Sequence, residues 1–298
     1  MRTIIGLAAL ARSGKDTVAS MLLSHSHVAA FALADPLKVG CQALFGLSDA
    51  EAWDDNLKEQ HIALWGRSPR EFFQAVGTEW MRHHNPEHWL MRAEREINRP
   101  ANSPTHPVDL EALSPEEAPF VLAAQAFFDF SSDQITSELD TFDSKWGLTP
   151  RDAINLLKRH AYEMYPDFKE LRSQRPLVAL KPRGNLPADA QIIIIKDIRF
   201  ENEAAFLRRH NGKIWHIKRP DLLKVKAHSS EDGIDQLPED ILIMNDQGLE
   251  ELRAAVDQAW AACQALTTPN DPADPTDPTN PTNRQSGSAT SPSKQEKG

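Results

Sequence analysis

Lys15 has the surroundings most suggestive of chemistry. It follows Gly14 after a short apolar run, Ile4, Ile5, Leu7 and Ala8, and precedes Val18-Ala-Ser-Met-Leu-Leu, which reads as a helix. A buried strand, a tight turn and a helix start with Gly-Lys at the turn is the layout of a phosphate-binding loop. Successive backbone N–H groups in such a loop point inward at anionic oxygens, and the helix dipole adds positive potential there. Glycine allows close backbone approach, and the lysine ammonium reaches the outer phosphates. Arg12, Ser13, Gly14, Lys15, Asp16 and Thr17 are therefore the expected nucleotide-binding residues. The pattern departs from G-x-x-x-x-G-K-[ST]: Ala9 stands at the first glycine, Asp16 at the hydroxyl position, and Thr17 comes one place late. Beside a polyphosphate a carboxylate needs an intervening cation, so Asp16 fits Mg²⁺. It equally fits an acid favoured at a helix start.

Three further groups could serve the same chemistry. Gln191-Ile-Ile-Ile-Ile-Lys196 is the most strand-like segment of the chain, and Asp197-Ile-Arg199 follows it. An acid at the end of a buried strand facing a phosphate loop suits a Mg²⁺-water ligand, and Arg199 would reach a transferring phosphoryl group. An Asp–Arg ion pair fixing a loop is compatible with this. Asp35 and Lys38 follow the strand Val28–Leu33, with Asp35 expected to cap a helix whose first residue is Pro36. Last, Ser68-Pro-Arg-Glu reads as a capping box opening a helix. There Phe72, Val76 and Trp80 form an apolar stripe, and Arg70, Gln74, Thr78 and Arg82 a polar one nearly opposite. Arginine, amide and hydroxyl types suit a phosphate and a base, though a solvated face would share the spacing. His83, His84 and His88 have no metal-ligand spacing and read as surface or packing residues.

The elements that position these groups alternate strand and helix, the signature of an α/β fold. Strands are expected also at Lys213–Lys218 and Ile241–Met244, with a last helix striped by Leu249, Leu252, Val256, Trp260 and Cys263. A net charge of −10 argues against a general nucleic-acid or anionic-membrane binder. Two cysteines make no disulfide framework, and no apolar run approaches a membrane span, so a cytoplasmic protein is expected. The first residues resemble a secretory signal, but cleavage after Ala11 would destroy the strand leading to Lys15.

Between Pro100 and Lys145 nine acids face one base, and from Gly147 to Pro187 eight Lys/Arg face four acids. Helical runs are expected around Phe120–Phe128 and Ile135–Phe142. Gly147-Leu-Thr-Pro-Arg-Asp echoes Gly66-Arg-Ser-Pro-Arg-Glu, which shared capping chemistry explains without a repeat. Arg219, Lys224, Lys226 and His228 make a cationic segment, and from Thr267 the chain is Asp/Pro/Thr-rich with almost nothing to bury, a disordered tail.

With these pieces placed, the chain resembles the bacteriophage-type deoxynucleoside monophosphate kinases of the P-loop nucleoside monophosphate kinase group. The resemblance rests on A-R-S-G-K-D-T (11–17), A-D-P-L-K (34–38), S-P-R-E-F-F-Q-A-V-G-T-E-W-M-R (68–82), H-W (88–89), D-I-R-F-E-N-E (197–203), H-S-S-E (228–231) and I-M-N-D (243–246). It covers about 1–97 and 189–265, leaving 98–188 as an insertion. It implies a kinase domain over 1–266 with a five-stranded parallel sheet, order 2-3-1-4-5, flanked by helices, a monophosphate-binding part at 35–95, a lid at 219–239, and a tail at 267–298.

It further implies ATP and Mg²⁺ as cofactors, and phosphorylation of deoxynucleoside monophosphates. Lys15, Asp197 and Arg199 would be catalytic, with Asp16, Thr17 and Asp197 near the metal. Asp35, Lys38, Arg70, Gln74, Arg82 and Trp89 would face the substrate, and Arg219, Lys224 and His228 would line the lid. Expected partners are small nucleotides rather than nucleic acid or membrane, with a homodimer left open. Two rivals stand beside this: a same-fold kinase for phosphomevalonate or dephospho-coenzyme A, and a silent nucleotide-binding regulator.

Overall fold

The computed structural model describes residues 2–10, 12–99, 108–177, 186–187, 189–220 and 234–267. Five strands, β1 (Thr3–Ala9), β2 (Val28–Phe31), β3 (Ile192–Ile198), β4 (Lys213–Lys218) and β5 (Ile241–Met244), form one parallel sheet in the order β2-β3-β1-β4-β5. This is the arrangement of a P-loop kinase fold. Ile193, Ile194 and Ile195 are fully buried, as a central parallel strand covered on both faces requires. The helices are α1 (Lys15–Leu22), α2 (Ala34–Phe45), α3 (Asp49–Trp53), α4 (Pro69–Gln74), α5 (His88–Ile97), α6 (Ala118–Phe128), α7 (Ser132–Thr136), α8 (Pro150–Met164), α9 (Phe168–Ser173), α10 (Glu201–Arg209) and α11 (Leu249–Thr267). The chain divides into two compact units, Met1–Asp257 and Gln258–Gly298, and the described part of the second is the end of α11.

Several boundaries differ from the sequence expectation. β2 stops at Phe31, and β3 runs on through Asp197, so this acid sits inside the strand rather than after it. α2 begins at Ala34, which puts Asp35 in its first turn instead of at the cap. The cap comes from far away: Leu33 N and Ala34 N donate to the Asp197 carboxylate at 3.0 and 3.2 Å. Of the run expected as Ile135–Phe142, only Ile135 and Thr136 are helical; the helix, Ser132–Thr136, starts earlier, where Ser131 and Gln134 build a capping box, and stops at Ser137. The capping box of Ser68 and Glu71 forms as expected, but α4 passes at Ala75 into a π-helix that lasts to Arg82. Leu249 is exposed, whereas Leu252 and Val256 are buried.

The stretch expected as an insertion contributes to the main core. α6 is almost wholly buried, and it packs on α2 more extensively than any other described pair of helices pack together. Gly40 makes that approach possible, since a Cβ there would lie 1.9 Å from the Phe127 ring. The Gly66 and Gly147 segments share more than a cap. Each has a bridge across the turn (Ile62 with Arg67, Asp143 with Leu148), a left-handed glycine (φ 63° and 70°), and a tryptophan before it that donates to the last carbonyl of a helix (Trp65 to Phe45, Trp146 to Phe128). This is a repeated unit, and capping chemistry alone does not account for it.

Candidate active site

The loop after β1 is built as the Gly-Lys pair demands. Arg12 and Gly14 take left-handed conformations (φ 65° and 95°), Ser13 is buried, and Gly14 caps α1 through its backbone. Asn245, just after β5, donates its Nδ2 to Ser13 O at 2.9 Å, while its own N–H bonds Lys218 O at the end of β4. A Cβ on Gly14 would stand 2.4 Å from that Nδ2, so two independent constraints require glycine there. Asn245 is a positioning residue absent from the expected site. Its signal was the I-M-N-D block, which sequence reasoning used only for the resemblance.

Lys15 Nζ rests on the Asp16 carboxylate (3.0 and 3.1 Å), with Asp16 79% exposed, and Thr17 is exposed beside them. Such a pair lies open to solvent and is held by little. Lys15 can therefore leave it for a phosphate.

At the carboxyl end of β3, the Asp197 carboxylate meets the start of α2, and Lys38 in that helix feels both Asp197 and Asp35. Burial pushes the Lys38 ammonium below its usual pKa, against the pull of Asp35 and Asp197, and its Nζ sits over the Trp53 ring at 4.5 Å. The Lys58 ammonium holds Asp55 below the usual carboxylate range, with Lys38 and Arg70 adding to the effect.

Arg70, Gln74 and Thr78 are exposed, while Phe72, Val76 and Trp80 are buried, which is the two-stripe geometry expected of this helix. Arg70 pairs with Glu59 at 2.5 Å. Arg82 is different, because its guanidinium is tied to the segment after β3. It bonds Glu203 at 3.0 Å and Asn202 at 3.3 Å, and lies over the Phe200 ring at 4.1 Å. Glu203 is buried, and its other oxygen accepts from Arg199 N and Phe200 N. Burial raises its carboxyl pKa, a cost these donors and Arg82 oppose. Sequence reasoning missed Glu203, which reads there as one acid among several at a helix start.

The Arg199 side chain is exposed at the same strand end, and Arg219 is exposed just past β4. Lys224 and His228 lie outside the described residues. Trp89, expected near the base, is a core residue: it is 6% exposed, donates to Gly77 O at 3.1 Å and meets Phe127 edge-on. Its neighbour His88 is also buried, which leaves it the packing role of the two foreseen. No group of three His, Cys, Asp or Glu able to hold a metal occurs among the described residues. A Mg²⁺ that arrives with a nucleotide needs only one or two carboxylates and keeps several waters, so Asp16 and Asp197 fit it. A cavity of about 480 Å³ lined by Arg2, Glu94, Asp189 and His210 lies at the amino ends of β1 and β3, away from this loop.

Residues 178–256 match the family model for deoxynucleotide monophosphate kinase. The chain is also 24% identical over 256 residues to a protein of Acanthamoeba polyphaga mimivirus named "Putative deoxynucleotide monophosphate kinase", an alignment covering 85% of this chain and 93% of that one. The family that the motifs resemble is the family both comparisons return, and its chemistry is that of a phosphotransferase.

Proposed function

We propose that the protein transfers the γ-phosphoryl group of ATP to a deoxynucleoside monophosphate. The observation that carries this is the adjacency of two strand ends. The Gly14–Lys15 loop follows β1, and at the carboxyl end of the neighbouring β3 Asp197 holds the start of α2, the helix of Asp35 and Lys38, while Glu203 just past β3 fixes the Arg82 guanidinium. A donor phosphate on the loop and an acceptor phosphate on the arginines would meet across that gap.

In this reading Lys15 leaves Asp16 to hold the β- and γ-phosphates together with the loop N–H groups. Asp16 or Thr17, with Asp197 further out, would hold Mg²⁺, which supplies charge neutralisation on the phosphates. Arg70 and Arg82 clamp the acceptor phosphate, and Gln74 lies nearest the base. An acceptor phosphate oxygen bonds to the γ-phosphorus as its bond to the β-bridging oxygen breaks, releasing ADP, while Arg199 and Arg219 stabilise the moving charge. The acceptor oxygen is already anionic, so no general base is needed, and positioning with charge stabilisation carries the catalysis.

ADP release measured in a coupled assay over the four common deoxynucleoside monophosphates, their ribo-forms and phosphomevalonate tests this. Turnover with at least one deoxynucleotide is expected. Turnover with phosphomevalonate alone, or with none in a protein that binds ATP, overturns it.

A further inference from the structure

The repeat around Trp65 and Trp146 extends over whole modules. In the first, α2 ends at Phe45 with a left-handed Gly46 (φ 63°). In the second, α6 ends at Phe128 with a left-handed Asp129 (φ 56°). Each continues into a short helix opened by a capping box, Ser48 with Glu51 and Ser131 with Gln134. Each then makes the tryptophan–glycine turn and a helix opened by Ser or Thr, Pro and Arg, whose arginine pairs back to an acid eleven residues earlier: Arg70 to Glu59, Arg151 to Asp140. The last helices, α5 and α9, start alike, His88 N donating to Asn85 O and Phe168 N to Tyr165 O, both at 3.0 Å.

The contacts between the two modules are reciprocal. Arg92 Nε in α5 donates to Ala126 O in α6 at 3.0 Å, and Arg172 Nε in α9 donates to Ala43 O in α2 at 3.1 Å. His88 packs on Phe128 and Trp146 of the other copy, and Phe168 packs on Phe45 and Trp65. Exchanged contacts between equivalent residues are what a two-fold interface produces. Here the two halves are carried by one chain.

The copies differ in chemistry. Where the first has Asp35, Lys38 and Arg82, the second has Ala118, Val121 and Glu163. The scaffold and the arginine at the Arg70 position, Arg151, are retained, but Asp35 and Lys38 are replaced by apolar residues and Arg82 by an acid.

We infer that residues 117–175 are a second copy of the module at 34–95 that has lost its acceptor-site chemistry and serves as the built-in partner of the first, leaving the protein a monomer. The loss of chemistry rests on the function proposed above, whereas the partnership rests on geometry alone.

The full chain is tested in three ways. Light scattering at tens of micromolar should give the monomer mass of 33.3 kDa, and a dimer overturns the inference. Arg92→Met and Arg172→Met each remove one half of the reciprocal pair, and both should lower Tm, by roughly 5–10 °C each. A loss in one with none in the other removes the partnership. Arg151→Ala should leave kcat/KM for the deoxynucleotide unchanged, and a tenfold loss would mean that the second copy takes part in the reaction. Absence of any turnover in the parent protein would instead count against the proposed function, and leave the mass and Tm measurements standing. If neither methionine variant folds, the parent's mass and the Arg151→Ala kinetics decide.

Discussion

Glu203 grips Arg82 across 121 residues of sequence, at 3.0 Å and with the glutamate side chain only 5% exposed. The polar stripe of one helix is thereby tied to the strand end that carries Asp197. In a buried pair, removing one partner leaves the other charge uncompensated.

Arg82→Ala should therefore lower kcat/KM for the deoxynucleotide on the order of 10²-fold, with ATP affinity nearly unchanged. Arg82→Lys should recover only part of this, because an ammonium cannot match the guanidinium fork. Glu203→Gln, which keeps the size of the side chain, should lower the same constant about tenfold by loosening Arg82. Steady-state kinetics beside ATP titration checks all three. Parent-like kinetics in each would reduce Arg82 and Glu203 to a structural ion pair.

Lys15→Ala should cut kcat by on the order of 10²–10³-fold or more while leaving Tm within a degree or two of the parent. Among the described residues the ammonium bonds the exposed Asp16 alone. Ordinary turnover by the folded variant would remove the phosphate-loop assignment.

Gly14→Ala forces a Cβ into the left-handed region and against Asn245. A rise in KM for ATP of at least tenfold is expected, with a loss of roughly 1–3 kcal/mol in stability. Asn245→Ala, which frees Ser13 O, should raise KM for ATP less and leave acceptor KM alone. Equal effects on both substrates would argue that Asn245 supports the fold as a whole rather than the loop.

Acid stability offers a separate test at His88. Burial lowers its pKa from 6.5 to about 3, and its Nε2 has no hydrogen-bond partner among the described residues. The unfolded chain takes up this proton below pH 6.5 and the folded chain does not until near pH 3. Stability from this group therefore falls as pH drops through that window, by about 1.4 kcal/mol per pH unit. His88→Phe, the residue type that Phe168 supplies at the equivalent place, should flatten the curve between pH 6 and 4. Denaturant melts across that range should show the parent losing stability relative to the variant as pH falls. Parallel curves would mean that His88 takes up its proton at the same pH in the native and unfolded chains.

The strands and the loop were readable because their signals are contiguous, an isoleucine run, a Gly-Lys turn and strands of the right length, whereas the sheet order came only with the family resemblance. Asp197 capping α2 was not readable, since a cap supplied from another strand leaves no local pattern and Asp35 offered a nearer candidate. Trp89 was misplaced for a similar reason, because tryptophan suits a base and a core equally and only its bond to Gly77 decides. The repeat escaped because its spacing drifts. Equivalent residues lie 83 apart at Phe45 and Phe128, 81 at Trp65 and Trp146, and 80 at Arg92 and Arg172. Its left-handed cap is glycine in one copy and aspartate in the other, so a fixed-period comparison finds only the Ser/Thr-Pro-Arg fragment.

The twelve residues of α2 form a rod about 18 Å long. One end rests on the Asp197 carboxylate with Asp35 and Lys38 beside it, and the other offers Ala43, Phe45 and Gly46 carbonyls to Arg172, Trp65 and Arg175. One helix is thus held at both ends by residues far from it in sequence, Asp197 at its start and Arg172 and Arg175 at its finish.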